Sequence, residues 1–193
     1  MDNATSMALR EIIIAPNPVL RAPCVAVSDF NGELHTLLDD MYESMLANNG
    51  IGLAAPQIGL SKAVAVIDLS TGSTEPPSIK SLADIAPLDH THKERLELIN
   101  PKIVHTATKV SSEEGCLSIP DYRETITRFE TVTVEALDRR GRPFSLTAVD
   151  FLAFAIQHEV DHLNGVLFTD HLSRLKRTFF RKWAIRNLGS GDI

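Results

Sequence analysis

A single α+β domain over residues 1–193 is the fold the sequence predicts: antiparallel or mixed β-sheets around a central helix that carries an H-E-x-x-H pattern, with a further helix at the C-terminal end. Three observations predict it. Apolar residues recur at helical spacing in three separated segments, and stretches rich in β-branched residues lie between them. The chain's 193 residues, 44% hydrophobic and 23% charged, make one ordinary globular domain and exclude disordered, collagenous and fibrous classes.

The first helix is predicted between Asn31 and Ala47, where Leu34, Leu37, Leu38, Met41, Met45 and Leu46 share a face. Asp29 or Asn31 can cap it, and Gly50 can end it. Residues 50–59 mix small side chains with Pro56 and read as a tight turn into a strand over 63–69. From 70 to 93 the chain is rich in Ser, Thr, Pro and Asp without periodicity, which predicts a long surface loop. Strands follow at 96–99, 102–110 and 131–137, and a hairpin turn over 138–143, containing Gly141, leads into a strand at 144–148. Residues 151–162 are apolar around most of a helical circumference, which predicts a buried helix ended by Gly165. The last helix is predicted over 172–188, with Leu172, Leu175, Phe179 and Trp183 facing the domain and the basic residues facing solvent. No internal repeat is present.

No apolar run approaches the ~20 residues of a membrane span, and the first residues lack the basic start and apolar stretch of a secretory signal. A membrane partner is therefore not expected, and a cytoplasmic setting is. Two cysteines, Cys24 and Cys116, allow at most one disulfide and suit a reducing compartment with free or metal-bound thiols. The formal net charge of −6 gives no reason to expect DNA binding. Charge is uneven, however: residues 172–193 carry six basic residues against Asp192 alone, a basic amphipathic helix and tail on an otherwise acidic chain.

The chemistry centres on His158-Glu159-Val160-Asp161-His162. Two histidines four apart project from one face of a helix and can ligate one metal ion, while the adjacent Glu159 can act on water at that ion. A catalytic site of this kind needs a third protein ligand. In one family of zinc proteases it lies six residues after the second histidine, where this chain has Phe168; in another it is a downstream glutamate, and no Glu follows Glu159. The third ligand must come from upstream or from Asp170 or His171, and Cys116, beside Gly115, is the best candidate. A thiolate with two imidazoles makes a soft set for Zn, Fe or similar ions.

Three segments, in order, resemble peptide deformylase: the glycine-alanine turn Gly50 to Gln57, Glu114-Gly115-Cys116-Leu117-Ser118, and the helix from Gln157 to His162. The resemblance implies hydrolytic removal of the formyl group from the N-terminal formylmethionine of new polypeptides. It implies that Cys116, His158 and His162 bind one divalent ion, that Glu159 is general base and acid, and that the Gln57 side chain and the Leu117 backbone N–H serve the developing oxyanion. Gly52 and Gly115 resemble the positions that align the peptide as an added strand. Ile51, Glu114, Phe151, Phe154 and His158 fall where the family holds the methionine side chain. The resemblance further implies Fe²⁺ as the physiological ion, with Zn²⁺, Ni²⁺ or Co²⁺ as substitutes. Nascent formyl-Met peptides are the implied partners, and the basic C-terminal helix suits docking on ribosomal RNA, in a bacterium or an organelle. A metallopeptidase, or a ribosome-associated homologue without turnover, is the alternative reading.

Overall fold

In the computed structural model, residues 9–68 and 95–189 are described. The expected 70–93 loop and the end of the C-terminal tail lie outside them. Five antiparallel strands form one sheet in chain order: β1 (Gly52–Ala54), β2 (Val64–Asp68), β3 (Arg95–Cys116), β4 (Ile119–Leu137) and β5 (Pro143–Val149).

Helix α1 (Gly32–Ala47) starts where the Asn31 carboxamide accepts from the backbone amides of Glu33 and Leu34. Asn49, at φ 55°, turns the chain out of the helix, so the stop falls one residue before Gly50, whose amide closes on the Met45 carbonyl. The face bearing Leu34, Leu37, Leu38, Met41, Tyr42 and Met45 is buried against Leu53, Val64 and Val66 of β1 and β2. Burial of each of these large side chains contributes roughly 1.5–3 kcal/mol.

The expected 102–110 and 131–137 strands are parts of much longer elements, because β3 and β4 make one hairpin that turns at Leu117 and Ser118. Residues 111–130 escape a hydropathy search for a physical reason: their buried positions include Ser112, Glu114 and Arg128 beside Ile126, so alternation of burial is not alternation of polarity. The turn at Asp138 forms as expected, with Gly141 at φ 76° and the Asp138 amide donating to the Arg142 carbonyl.

Helix α2 (Asp150–Leu163) buries Leu152, Ala153, Ile156 and Val160 against Val132, Val134, Leu146 and Ala148 of the sheet. Gly165 ends it at φ 73°, where an added Cβ would stand 2.4 Å from the Arg21 carbonyl oxygen. A 3-10 turn, Phe168–His171, follows, and then helix α3 (Arg174–Asn187). The face that α3 buries differs from the expected stripe. Phe180 and Ala184 enter the core with Trp183 alongside, while Leu175 and Phe179 stand 68% and 60% exposed. Tyr122 of β4 accounts for the rotation, since its ring lies 4.8 Å from those of both Phe180 and Trp183.

Candidate metal centre and substrate cleft

Cys116 ends β3, and His158 and His162 lie one turn apart on α2, which the sheet presses towards the hairpin tip. Cys116 Sγ and His162 Nε2 are 3.2 Å apart, as are the Nε2 atoms of His162 and His158, and the three donor atoms all lie within 4.8 Å of one another. One sulfur and two imidazole nitrogens converging on a point is a donor set for a single transition-metal ion. The electrostatics fit as well. Burial opposes charge on His158, but contacts with Cys116 and Glu114 outweigh it and raise its pKa, whereas burial and the neighbouring His158 push His162 down. The pair thus accommodates one imidazolium and disfavours a second.

The other two ligand candidates are engaged elsewhere. Asp170 pairs with Arg21 at 2.5 Å, and His171 Nε2 donates to Asp161 Oδ2 at 2.8 Å.

Glu159 projects from the same helix, almost wholly buried, with Oε2 lacking a hydrogen-bond partner among the described residues. Burial pushes its carboxyl up to about 7, against the pull of His158. That suits a group exchanging a proton near neutral pH. Gln57 is buried in the 3-10 turn after β1, and its amide has one orientation. Oε1 accepts from the Ala54 amide at 2.8 Å, which leaves Nε2 aimed at Cys116 Sγ (3.4 Å) and Ser118 Oγ (3.3 Å).

Around these groups runs a cleft of about 1130 Å³. Ile51, Glu114, Phe151, Phe154 and His158 line it together, and so do Gly52, Gly115 and Leu117, so every residue to which the family resemblance gives a role, except the deeply buried His162, borders one space.

Residues 9–178 match the polypeptide deformylase family, which is most of the chain. The chain belongs to the polypeptide deformylase family. It is 47% identical over 171 residues to the peptide deformylase of Acidobacterium capsulatum, covering 89% of this chain and 91% of that one. To peptide deformylase 2 of Vibrio cholerae it is 44% identical over 177 residues, covering 91% and 94%. Among solved structures, that of a Legionella pneumophila peptide deformylase superposes with a TM-score of 0.77 at 38% identity, covering 96% of this chain and 100% of that one. A Synechococcus elongatus peptide deformylase in complex with actinonin gives 0.77 at 37% identity, covering 95% and 92%. The deformylase fold and a Cys-His-His group within ligating reach of one point support a single bound metal ion.

Sequence reasoning missed what stands behind the histidines. His158 Nδ1 donates to Glu114 Oε2 at 2.9 Å, and Glu114 takes a two-pronged contact from Arg128, Nε to Oε1 at 2.7 Å and Nη2 to Oε2 at 3.0 Å. Arg128 Nη1 in turn donates to Asp161 Oδ2 at 2.6 Å. Burial pushes the Glu114 carboxyl up, yet hydrogen bonds from His158 and Arg128 prevail and hold it at about 2. Arg128 shares its side of β4 with Val132, Val134 and Ala136, so a cation at a position of buried parity was the available signal.

Proposed function

We infer that the chain removes the formyl group from the N-terminal formylmethionine of newly made polypeptides, releasing formate and a free amine. The observation that carries this is the meeting of Cys116, His158, His162, Glu159 and Gln57 at the floor of one cleft in a polypeptide deformylase fold. Cys116 Sγ and the Nε2 atoms of His158 and His162 would hold the ion, which supplies Lewis acidity and makes water nucleophilic near neutral pH. Glu159 accepts the proton of the attacking water and delivers it to the departing amide nitrogen. Gln57 Nε2 and the Leu117 N–H donate to the oxygen that gains charge as the formyl carbon becomes tetrahedral. Gly52 and Gly115 align the peptide backbone along the strand edges, and Ile51, Glu114, Phe151 and Phe154 surround the methionine side chain. Fe²⁺ is the physiological ion, and Zn²⁺, Ni²⁺ or Co²⁺ can replace it.

Peptidase chemistry finds less support. Phe168, at the position of one protease family's third ligand, is buried with its ring centre 6.2 Å from that of His158. Formate should be released from formyl-Met-Ala-Ser while Met-Ala-Ser stays intact; cleavage of Met-Ala-Ser would overturn the reading.

The setting is the cytoplasm of a bacterium, in keeping with bacterial relatives and with the lack, among the described residues, of a helix long and apolar enough to cross a membrane. Docking of α3 on ribosomal RNA is supported by the exposed Arg181, Lys182 and Arg186 beside Leu175 and Phe179. Because Phe180 and Ala184 tie α3 to the core, the test is the triple Glu substitution of those three cations rather than deletion of the helix. Salt-sensitive ribosome co-sedimentation should be lost, and its retention would sink the docking.

A further inference from the structure

The 3-10 turn Phe168–His171 meets α2 behind His158 in two places. The Phe168 ring lies alongside His158, centres 6.2 Å apart and planes inclined by 25°. Three residues on, His171 Nε2 donates to Asp161 Oδ2 at 2.8 Å, and the same oxygen receives Arg128 Nη1 at 2.6 Å. Arg128 then grips Glu114 with Nε and Nη2, and Glu114 accepts from His158 Nδ1. An unbroken series of side-chain hydrogen bonds thus runs from His171, about a third exposed, inward to the back of His158.

We propose that His171 is a positioning residue for His158, acting through Asp161, Arg128 and Glu114. The inference rests on His158 being a metal ligand, as set out above. A ligating imidazole needs its far nitrogen held in one orientation, and a carboxylate there fixes the tautomer and strengthens the ligand. Here the carboxylate is itself held by a guanidinium almost fully buried between two acids. Glu114 holds one edge of that planar group, through Nε and Nη2, and Asp161 holds the remaining nitrogen, Nη1. Asp161 is at the edge of solvent, with its side chain 22% exposed, so water competes for its oxygens. His171 closes that side by occupying Oδ2 together with Arg128. With His171 replaced by an apolar ring, Asp161 is free to turn outward, Arg128 loses its third anchor, and the slack passes through Glu114 to His158. Other charges beside the turn are committed elsewhere: Asp170 pairs with Arg21, and Arg177 donates to the Asp170 carbonyl.

The experiment compares Co²⁺-loaded wild type with His171→Phe and His171→Gln, reading the cobalt d–d spectrum and Co²⁺ affinity by competition with a chelator, with thermal melting of each protein. Gln can place an N–H near the position of His171 Nε2, whereas Phe cannot. Expected are a shifted d–d envelope and several-fold weaker Co²⁺ binding in His171→Phe, with both restored in His171→Gln. An unchanged spectrum and affinity in a folded His171→Phe would overturn the proposal, as would equal losses in both variants. Absence of a thiolate-to-cobalt band in the wild type would overturn the ligand assignment itself, and the proposal with it.

Discussion

Glu159 Oε1 lies 2.1 Å from the point that a Cβ on Gly52 would occupy. The edge of β1 and the acid on α2 are therefore packed as closely as a backbone without a side chain permits. Gly52→Ala must displace either the carboxylate or the strand proposed to align the peptide. A fall in kcat/KM on the order of a hundredfold is expected, the size of effect an ångström of misplacement produces. Metal content should stay normal, because Cys116, His158 and His162 are untouched. Parallel formate and metal assays on the variant check both halves.

Gln57 reaches the centre only through Nε2, since Oε1 is occupied by the Ala54 amide. Gln57→Ala should lower kcat roughly a hundredfold to a thousandfold with little effect on bound metal, as loss of one oxyanion donor does elsewhere. Gln57→Glu should also be poorly active, because it replaces the donor with an acceptor beside Cys116. Steady-state kinetics on both variants distinguish a donor from a packing role.

Arg128 is a buried cation between two acids. Arg128→Ala leaves Glu114 inside without its principal partner, and a cost of about 3–5 kcal/mol is expected. Urea unfolding reads it directly, and a change under 1 kcal/mol would contradict the arrangement.

Asp138 supplies a pH-dependent contribution at the turn between β4 and β5. Burial pushes its carboxyl up, but the backbone amides of Arg142 and Arg140 and the Arg142 side chain outweigh burial and hold it below the ordinary range. A folded value below the unfolded ~3.9 means the stabilisation is complete above about pH 5 and disappears as pH falls through the folded value. Asp138→Ala should be less stable than the wild type at pH 7, with the gap closing towards pH 2 in paired denaturation curves.

The candidate site was legible in the sequence where its geometry is tied to short spacing. His158 and His162 share a helix face, Cys116 and Leu117 are neighbours at a hairpin tip, and Gln57 closes a three-residue turn on Ala54, so local geometry alone brings each group most of the way. The contacts that join Arg128, Asp161 and His171 were not legible, because they run between β4, α2 and the turn after it. The same cause hid the outer half of the hairpin: a buried face built from charges has no apolar rhythm. The buried face of α3 is likewise set by Tyr122, which is fifty or more residues away in sequence, so helical spacing within α3 left two adjacent stripes open.

One acid, Glu159, is proposed to work on water beside the Cys116, His158 and His162 group and so cleave the formyl amide. The most direct measurement is formate release from formyl-Met-Ala-Ser by anaerobically prepared, metal-loaded wild type and Glu159→Ala, with metal quantified in the same samples. Rapid formate release by the wild type, and loss of nearly all turnover in Glu159→Ala at equal metal content, is the predicted result. Near-normal deformylation by Glu159→Ala would rule out this role for Glu159, and no formate from metal-loaded wild type would rule out deformylation by this chain.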